Sequence, residues 1–434
     1  MATRRMNCGR SILRLTLMRK HLTPADLYGF ARLALHSAGE VTDMVEDLHQ
    51  TIAEPFDVLG VSRSGRTGGG RTGGGRTGGI TGLVYRSIQA GYKAAGWGLD
   101  RTWDLATAVT TSPSTGEPTT AKREAWVAAV NGVQGDFLAA TRNPLAIEMA
   151  LRSGGGPFVI EKDALAAAFP AAGSRVVVLI HGLCMNDLQW QRRGHDHGAA
   201  LARDLGYTPI YLHYNTGAHI STNGRACADL LEQLAVQWPV HLDELAIVGH
   251  SMGGLVARSA VHYGQQAGHT WPGRLRRIIF LGTPHHGSPW EQIGVVLGKL
   301  PAKSRYAAPF GRLTRARSAG ITDLRYGSLV DEDWADSDRF AHGPDLRADV
   351  PLPKGVDCCV VAGSLGKVGT LRGAAKGALL GDGLVTVDSA LGIHADPSRS
   401  LLVGEDCRWV GYNIGHLDLL GSEAVYEQIK GWLA

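Results

Sequence analysis

Cysteine is scarce in this chain of 434 residues: six stand scattered, at Cys8, Cys184, Cys227, Cys358, Cys359 and Cys407. No metal-ligand spacing links them, so no metal and no cofactor is expected, and they read as buried free thiols of a reducing compartment. Long apolar runs are missing as well. No eighteen consecutive residues are all apolar, which argues against a membrane-spanning helix. A secretory leader is not expected either. Arg14 interrupts the short apolar stretch of "MATRRMNCGRSILRLTLMRKH", and no small-residue cleavage site follows it. Excess charge of one sign is slight. The formal net charge is +4, and residues 1–80 hold the surplus, with eleven Lys and Arg against seven Asp and Glu. So small a surplus does not mark a nucleic-acid partner, and no zinc finger or RNA-recognition motif accompanies it.

Apolar residues and glycine are plentiful, at 44% of the chain and 58 residues. The apolar share suffices for a substantial core, and the length suits one large domain with an accessory region. Thr23-Pro24 suits a helix start, with Thr23 as N-cap and Pro24 at the first helical position. Val41, Val45, Leu48 and Ile52 recur at helical spacing until Pro55, so residues 1–60 read as a helical extension. The tract "GRTGGGRTGGGRTGG", Gly65 to Gly79, cannot bury apolar surface, and residues 61–80 read as a flexible linker. Residues 81–156 read as a helical accessory region. Its patterns run through Val84, Ile88, Tyr92 and Ala95 and through Val127, Val130, Gln134, Phe137 and Leu138, with a loop over 111–120. Such helices pack on each other or on a neighbouring domain; docking on a membrane surface is the second reading. The expected location is accordingly the cytoplasm, with peripheral membrane contact as its variant.

From residue 157 the pattern changes. Short apolar runs at Arg175–Ile180, Pro209–Tyr214, Leu245–Val248, Arg276–Gly282 and Val356–Gly363 alternate with helical stripes. That alternation predicts a mainly parallel sheet with helices on both faces, and functional groups at the strands' carboxyl ends. Ser251 stands at one such end, in "LAIVGHSMGGLVAR". Gly249, His250, Ser251, Met252 and Gly253 fit G-x-S-x-G, in which glycines permit a sharp strand-to-helix turn that lifts the serine clear of the sheet. A serine attacking a carbonyl needs donors for the developing oxyanion. The backbone N–H groups of Leu183, in "HGLCMND", and of Met252, at a helix N-terminus, are the candidates. His181 reads as a residue that shapes this loop.

The stretches "VLIHGL", "VGHSMGG" and "LGTPHHGSP" resemble the lipase and esterase branch of the α/β-hydrolase superfamily, over roughly residues 157–434. The resemblance implies an α/β-hydrolase fold with a helical cap insertion, here about residues 285–355. It also implies a serine hydrolase with its triad in the order serine, acid, histidine. Of the downstream acids, Asp382 in "GDGLV" matches the family's Asp-Gly-x-Val better than Asp388. Of the late histidines, His416 in "GHLDLL" suits the loop between the last strand and last helix better than His394. His285 and His286 precede the acid and read as pocket-shaping. Asp418 corresponds to an aspartate that binds calcium in some bacterial lipases, but no partner ligands are identified, and no metal is expected.

The function expected is hydrolysis of small-molecule or lipid carboxylic esters through an acyl-serine. Acyl transfer or thioester hydrolysis would use the same triad, and a non-catalytic hydrolase-shaped scaffold is the third reading. Apolar insertion residues Ile293, Val296 and Leu297 either meet the acyl chain or bury against the core.

Overall fold

The computed structural model describes residues 23–29, 31–35, 93–101, 120–288, 317–336, 338–340, 344–366 and 381–434. Two compact units emerge. One comprises residues 1–120, 143–145 and 294–316; the other comprises residues 121–142, 146–293 and 317–434.

Among the described residues of the first unit are helical segments over 24–29, 31–35 and 93–101. Thr23 caps the first of these as expected. Its hydroxyl accepts from the Asp26 N–H at 3.2 Å, while the Asp26 carboxylate accepts from the Thr23 N–H at 2.8 Å. Asp100 accepts a hydrogen bond from the Tyr28 hydroxyl at 2.7 Å and pairs with Arg32 at 3.2 Å. The expected helix over Val41–Ile52, the glycine tract Gly65–Gly79 and the residues Val84, Ile88 and Tyr92 lie outside the described residues. Ala95 falls in the helix over 93–101.

The second unit is built on an eight-stranded sheet. Its strands are β1 (Ala150–Ser153), β2 (Gly156–Pro157), β3 (Arg175–Ile180), β4 (Thr208–His213), β5 (Glu244–His250), β6 (Leu275–Leu281), β7 (Asp357–Ser364) and β8 (Arg408–Tyr412). Their order is β2-β1-β4-β3-β5-β6-β7-β8. Pairing is parallel from β4 through β8 and antiparallel at the β1 edge. The β3 sequence "RVVVLI" explains its central place. Val176, Val178 and Ile180 enter one core, Val177 and Leu179 the other, and all five are fully buried. A strand apolar on both faces is stable only when both faces are covered. Helices α4 (Ile220–Gln237) and α5 (Met252–Gln266) contribute to the first core; α3 (His197–Leu205) and α8 (Glu423–Leu433) contribute to the second. Each fully buried aliphatic side chain contributes roughly 1.5–3 kcal/mol relative to exposure.

Two expectations need correction. The sheet body begins well before residue 157. Helix α1 (Ala121–Ala140) belongs to this unit, and β1 and β2 complete its sheet. "ALRS" lacks the apolar alternation that announces a strand. Its hairpin instead depends on Gly154 and Gly155, both at positive φ as a two-residue turn requires. Nor do the cysteines all remain free: Cys359 pairs with Cys407, while Cys184, Cys227 and Cys358 are free thiols. The β7–β8 register, Val360 opposite Arg408, brings these two residues side by side. Trp238, the C-cap of α4, is buried in the first core, and its indole N–H donates to Gly173 O at 2.9 Å.

A Cβ on Gly253 would fall 2.2 Å from Ile180 O, whereas one on Gly431 in α8 would meet nothing within 4 Å. Gly431→Ala should raise stability by about 0.5–1 kcal/mol, because alanine is the better helix former. Gly253→Ala should lower it by roughly 1–3 kcal/mol or more. Urea midpoints at a constant m-value check both.

Candidate active site

Ser251 occupies the corner between β5 and α5 with φ 54° and ψ −125°. A non-glycine residue at positive φ is strained by about 1–3 kcal/mol and persists only where its surroundings enforce it. Here the enforcement is contact. A Cβ on Gly249 would approach Gly254 Cα to 2.6 Å, and one on Gly253 would strike the carbonyl end of β3. The Ser251 N–H is held by Leu281 O at 2.8 Å, which ties the corner to the end of β6. Gly182, at the end of β3, lies against the serine from the other side, where an added Cβ would be 3.0 Å from Ser251 Cβ.

Asp382 sits in a turn after β7, between Gly381 at φ 53° and Gly383 at φ 102°. Its carboxylate has two partners on one oxygen and one on the other. Oδ1 accepts from the N–H groups of Leu384 and Val385 at 3.0 and 2.9 Å; Oδ2 accepts from His416 Nδ1 at 2.7 Å. The His416 N–H donates to Asp382 O at 3.0 Å, a second tie between the two loops. With Nδ1 occupied as a donor, the neutral ring keeps its Nε2 as the basic atom. Asp382 and His416 are both buried.

His250, the residue before the serine, supports His416 from below. Its Nε2 donates to His416 O at 3.1 Å, and the ring centroids are 4.8 Å apart. Complete burial holds the His250 pKa well below its ordinary value, so it acts as a neutral donor. Asp418 steadies the same loop. One of its oxygens accepts from the Gly415 N–H at 3.2 Å and the other pairs with Arg193 at 2.8 Å.

The loop after β3 carries Leu183. Among the described residues, neither the Leu183 N–H nor the Met252 N–H donates to an acceptor. The next residue, Cys184, has φ 59° and donates its N–H to the Thr216 hydroxyl at 3.1 Å. Asp187 anchors the far end of this loop. Its Oδ1 lies 3.1 Å from both the Arg152 guanidinium and His213 Nδ1. Burial would raise its pKa, but the His213 hydrogen bond and the Arg152 charge more than offset that and hold the carboxyl below its usual range. Helix α1 presses on the loop as well: a Cβ on its Gly132 would meet Cys184 Sγ at 2.2 Å. These supports come from residues 26 to 52 positions away in the chain, and no sequence pattern announces them.

Ser251 and His416 line one cavity of about 610 Å³. Its lining includes the apolar Leu183, Met185, Ile321, Leu324, Leu384, Val385 and Leu417 and the polar Gln189, Gln191 and Arg192. Ile321 and Leu324 come from the expected cap insertion, which here includes the short helix α6 (Ala319–Asp323). Ile293, Val296 and Leu297 lie outside the described residues. Of the competing residues, Asp388 is exposed in the short helix α7 (Val387–Ala390), and His394 stacks edge-on against His286, off the cavity. His285 is buried and its ring lies 3.3 Å from the Arg258 guanidinium. Arg347 donates to its carbonyl at 3.0 Å. Among the described residues no helix is long and apolar enough to cross a membrane.

Burial lowers the pKa of several histidines around this site: His181 to about 3, His197 and His286 to about 4, and His250 and His285 well below the ordinary value. Folded, they stay neutral; unfolded, each takes up a proton near pH 6.5. Stability should therefore be full above about pH 6.5 and fall as the pH drops below it, because the unfolded chain then binds more protons. Denaturant midpoints at pH 7.5 and pH 5 check the sign; equal midpoints would contradict it.

Residues 171–342 match the family model described as PGAP1-like alpha/beta domain. No curated protein matches the chain. Among solved structures, lipase BlEst2 of Bacillus licheniformis in mature form is 18% identical with a TM-score of 0.38, over 60% of this chain and 92% of its own. An esterase of Pyrobaculum calidifontis is 15% identical with a TM-score of 0.35, over 61% and 76%. Phospholipase PlaB of Legionella pneumophila is 17% identical with a TM-score of 0.30, over 50% and 45%. The matched segment spans the strands from β3 to β6, the part of the sheet that carries the Ser251 corner.

Proposed function

We propose that the chain is a serine carboxylester hydrolase that works through an acyl-serine. The observation that carries this reading is the 2.7 Å hydrogen bond from His416 Nδ1 to Asp382 Oδ2, beside the cavity that Ser251 also lines. The ester carbonyl enters the cavity with its apolar part against Leu384, Val385, Ile321 and Leu324. His416 Nε2 takes the proton of the Ser251 hydroxyl as its oxygen attacks, and Asp382 stabilises the imidazolium that results. The Leu183 and Met252 N–H groups receive the oxyanion, and the N-terminus of α5 favours the negative charge there. His416 then protonates the departing alcohol. Water, deprotonated by the same ring, releases the acid and restores the serine.

The reading also gives the neighbours of the triad their work. A neutral His250 and the Asp418–Gly415 contact keep the His416 loop in one position. The Thr216 hydroxyl and the Arg152–Asp187 pair do the same for the Leu183 loop. Preorganised donors of this kind need no rearrangement during the reaction.

Hydrolysis of p-nitrophenyl esters from acetyl to palmitoyl tests the proposal. Ser251→Ala should lose roughly 10⁶ in turnover and Asp382→Asn about 10⁴. A fluorophosphonate should label the wild type and leave Ser251→Ala unlabelled. Equal esterase rates in wild type and Ser251→Ala would reject the mechanism.

A further inference from the structure

Arg192 stands apart from the other charged residues around the cavity. It is a lining residue, its Nε is buried, and that atom has no hydrogen-bond partner. Among the described residues it forms no ion pair, and no carboxylate lines the cavity. The carboxylates nearby are already engaged. Asp418 is bound to Arg193 and the Gly415 N–H. Asp196 accepts from the Ala199 N–H and the Tyr211 hydroxyl at 2.9 and 2.6 Å.

The presentation of Arg192 is built. Arg192 and His195 exchange two backbone hydrogen bonds, at 2.8 and 3.0 Å, across a two-residue turn whose central residues, Arg193 and Gly194, have φ 52° and 77°. Two successive positive φ values define the tight primed turn of a hairpin. The turn is tied down on three sides. Arg193 pairs with Asp418. His195 Nε2 donates to His197 Nδ1 at 2.8 Å, and His197 Nε2 donates to Leu419 O at 2.9 Å. Gly421 packs so closely that an added Cβ would lie 2.9 Å from Arg192 O. Leu419 and Gly421 follow His416 in the same loop, so the hairpin and the histidine loop are braced against each other.

A guanidinium held in a cavity without a counter-charge favours an anion with oxygens in one plane, to which it donates two parallel hydrogen bonds. We propose that Arg192 is a specificity-determining residue that selects esters bearing an oxyanion, a carboxylate or a phosphate, beside the scissile bond. The proposal rests on the ester-hydrolase reading and adds the class of ester. The anion binds the guanidinium while the apolar part of the substrate lies against Leu384 and Ile321, and the ester carbonyl reaches Ser251. An oxyanion on the acyl side and one on the alcohol side meet the same chemistry, and the two are told apart by matched pairs of substrates.

Two pairs serve. The p-nitrophenyl ester of succinate, with a free carboxylate, is set against that of monomethyl succinate. Phosphatidic acid is set against diacylglycerol with the same chains in neutral detergent micelles. The readout is the ratio of kcat/KM for the anionic over the neutral member. In at least one pair the wild type should prefer the anion, and the pair that does so identifies the side. Arg192→Gln should reduce that ratio by about 10–100-fold, the worth of a hydrogen bond to a charged group. Arg192→Lys should restore part of it, and Arg192→Glu should drive it below the Gln value. Fluorophosphonate labelling of each variant verifies that the site is folded. Ratios unchanged by all three substitutions, in proteins that hydrolyse the neutral esters, would overturn the role of Arg192 alone. No hydrolysis of any ester by the wild type would reject the ester-hydrolase reading and this inference with it.

Discussion

The backbone corner at Ser251 is the constraint on which the site depends. Positive φ at a serine is unfavourable in isolation, and three glycines crowd against it because nothing larger fits between β5, α5 and the end of β3. The contact closes the structure as much as it opens the site. It fixes where α5 begins, and so which face of the sheet α5 covers. Ser251 and Leu183, from the loop after β3, line the same cavity. Strain at one residue is offset by the burial of β3 and β5, two of the most apolar strands in the sheet.

Around that corner one rule holds for the carboxylates: each buried one has a partner. Asp382 keeps three hydrogen-bond donors around its carboxylate, including His416. Asp187 is compensated by Arg152 and His213. His181, His197, His250, His285 and His286 are pushed toward the neutral form by desolvation, which lets each ring act as donor on one side and acceptor on the other. His197 illustrates it, accepting from His195 and donating to Leu419 O. Among the described residues Arg192 has no such partner, and it lines the cavity itself.

Much of the second unit was legible from residue pattern. Continuous apolar runs such as "RVVVLI" mark strands buried on both sides, and each expected run became a strand with bounds shifted by a residue or two. Less legible was whatever depends on partners outside the local sequence. Helix α1 has the apolar spacing of many helices, and only its contacts decide where it packs. Gly135 and Gly217 let α1 approach the loop after β4, with Asn215 Nδ2 donating to Gly135 O at 2.8 Å. The β1–β2 hairpin escaped notice because its strands are short and polar. Pairing against β4, with Leu151 opposite Leu212, is what makes β1 a strand.

By itself the sequence determined the strand-helix alternation, the glycine-flanked corner of Ser251 and the residue types available for proton transfer. These are local properties: apolar periodicity, the small size of glycine, and the donor and acceptor inventory of serine, aspartate and histidine. Which aspartate meets which histidine, and which arginine lines the cavity, was decided by the tertiary structure. Those pairings join residues 34 apart, as in Asp382 and His416, or 225 apart, as in Arg193 and Asp418. At such separations the chain imposes no geometry of its own, and distance is set by how the sheet stacks its loops at the carboxyl ends of the strands.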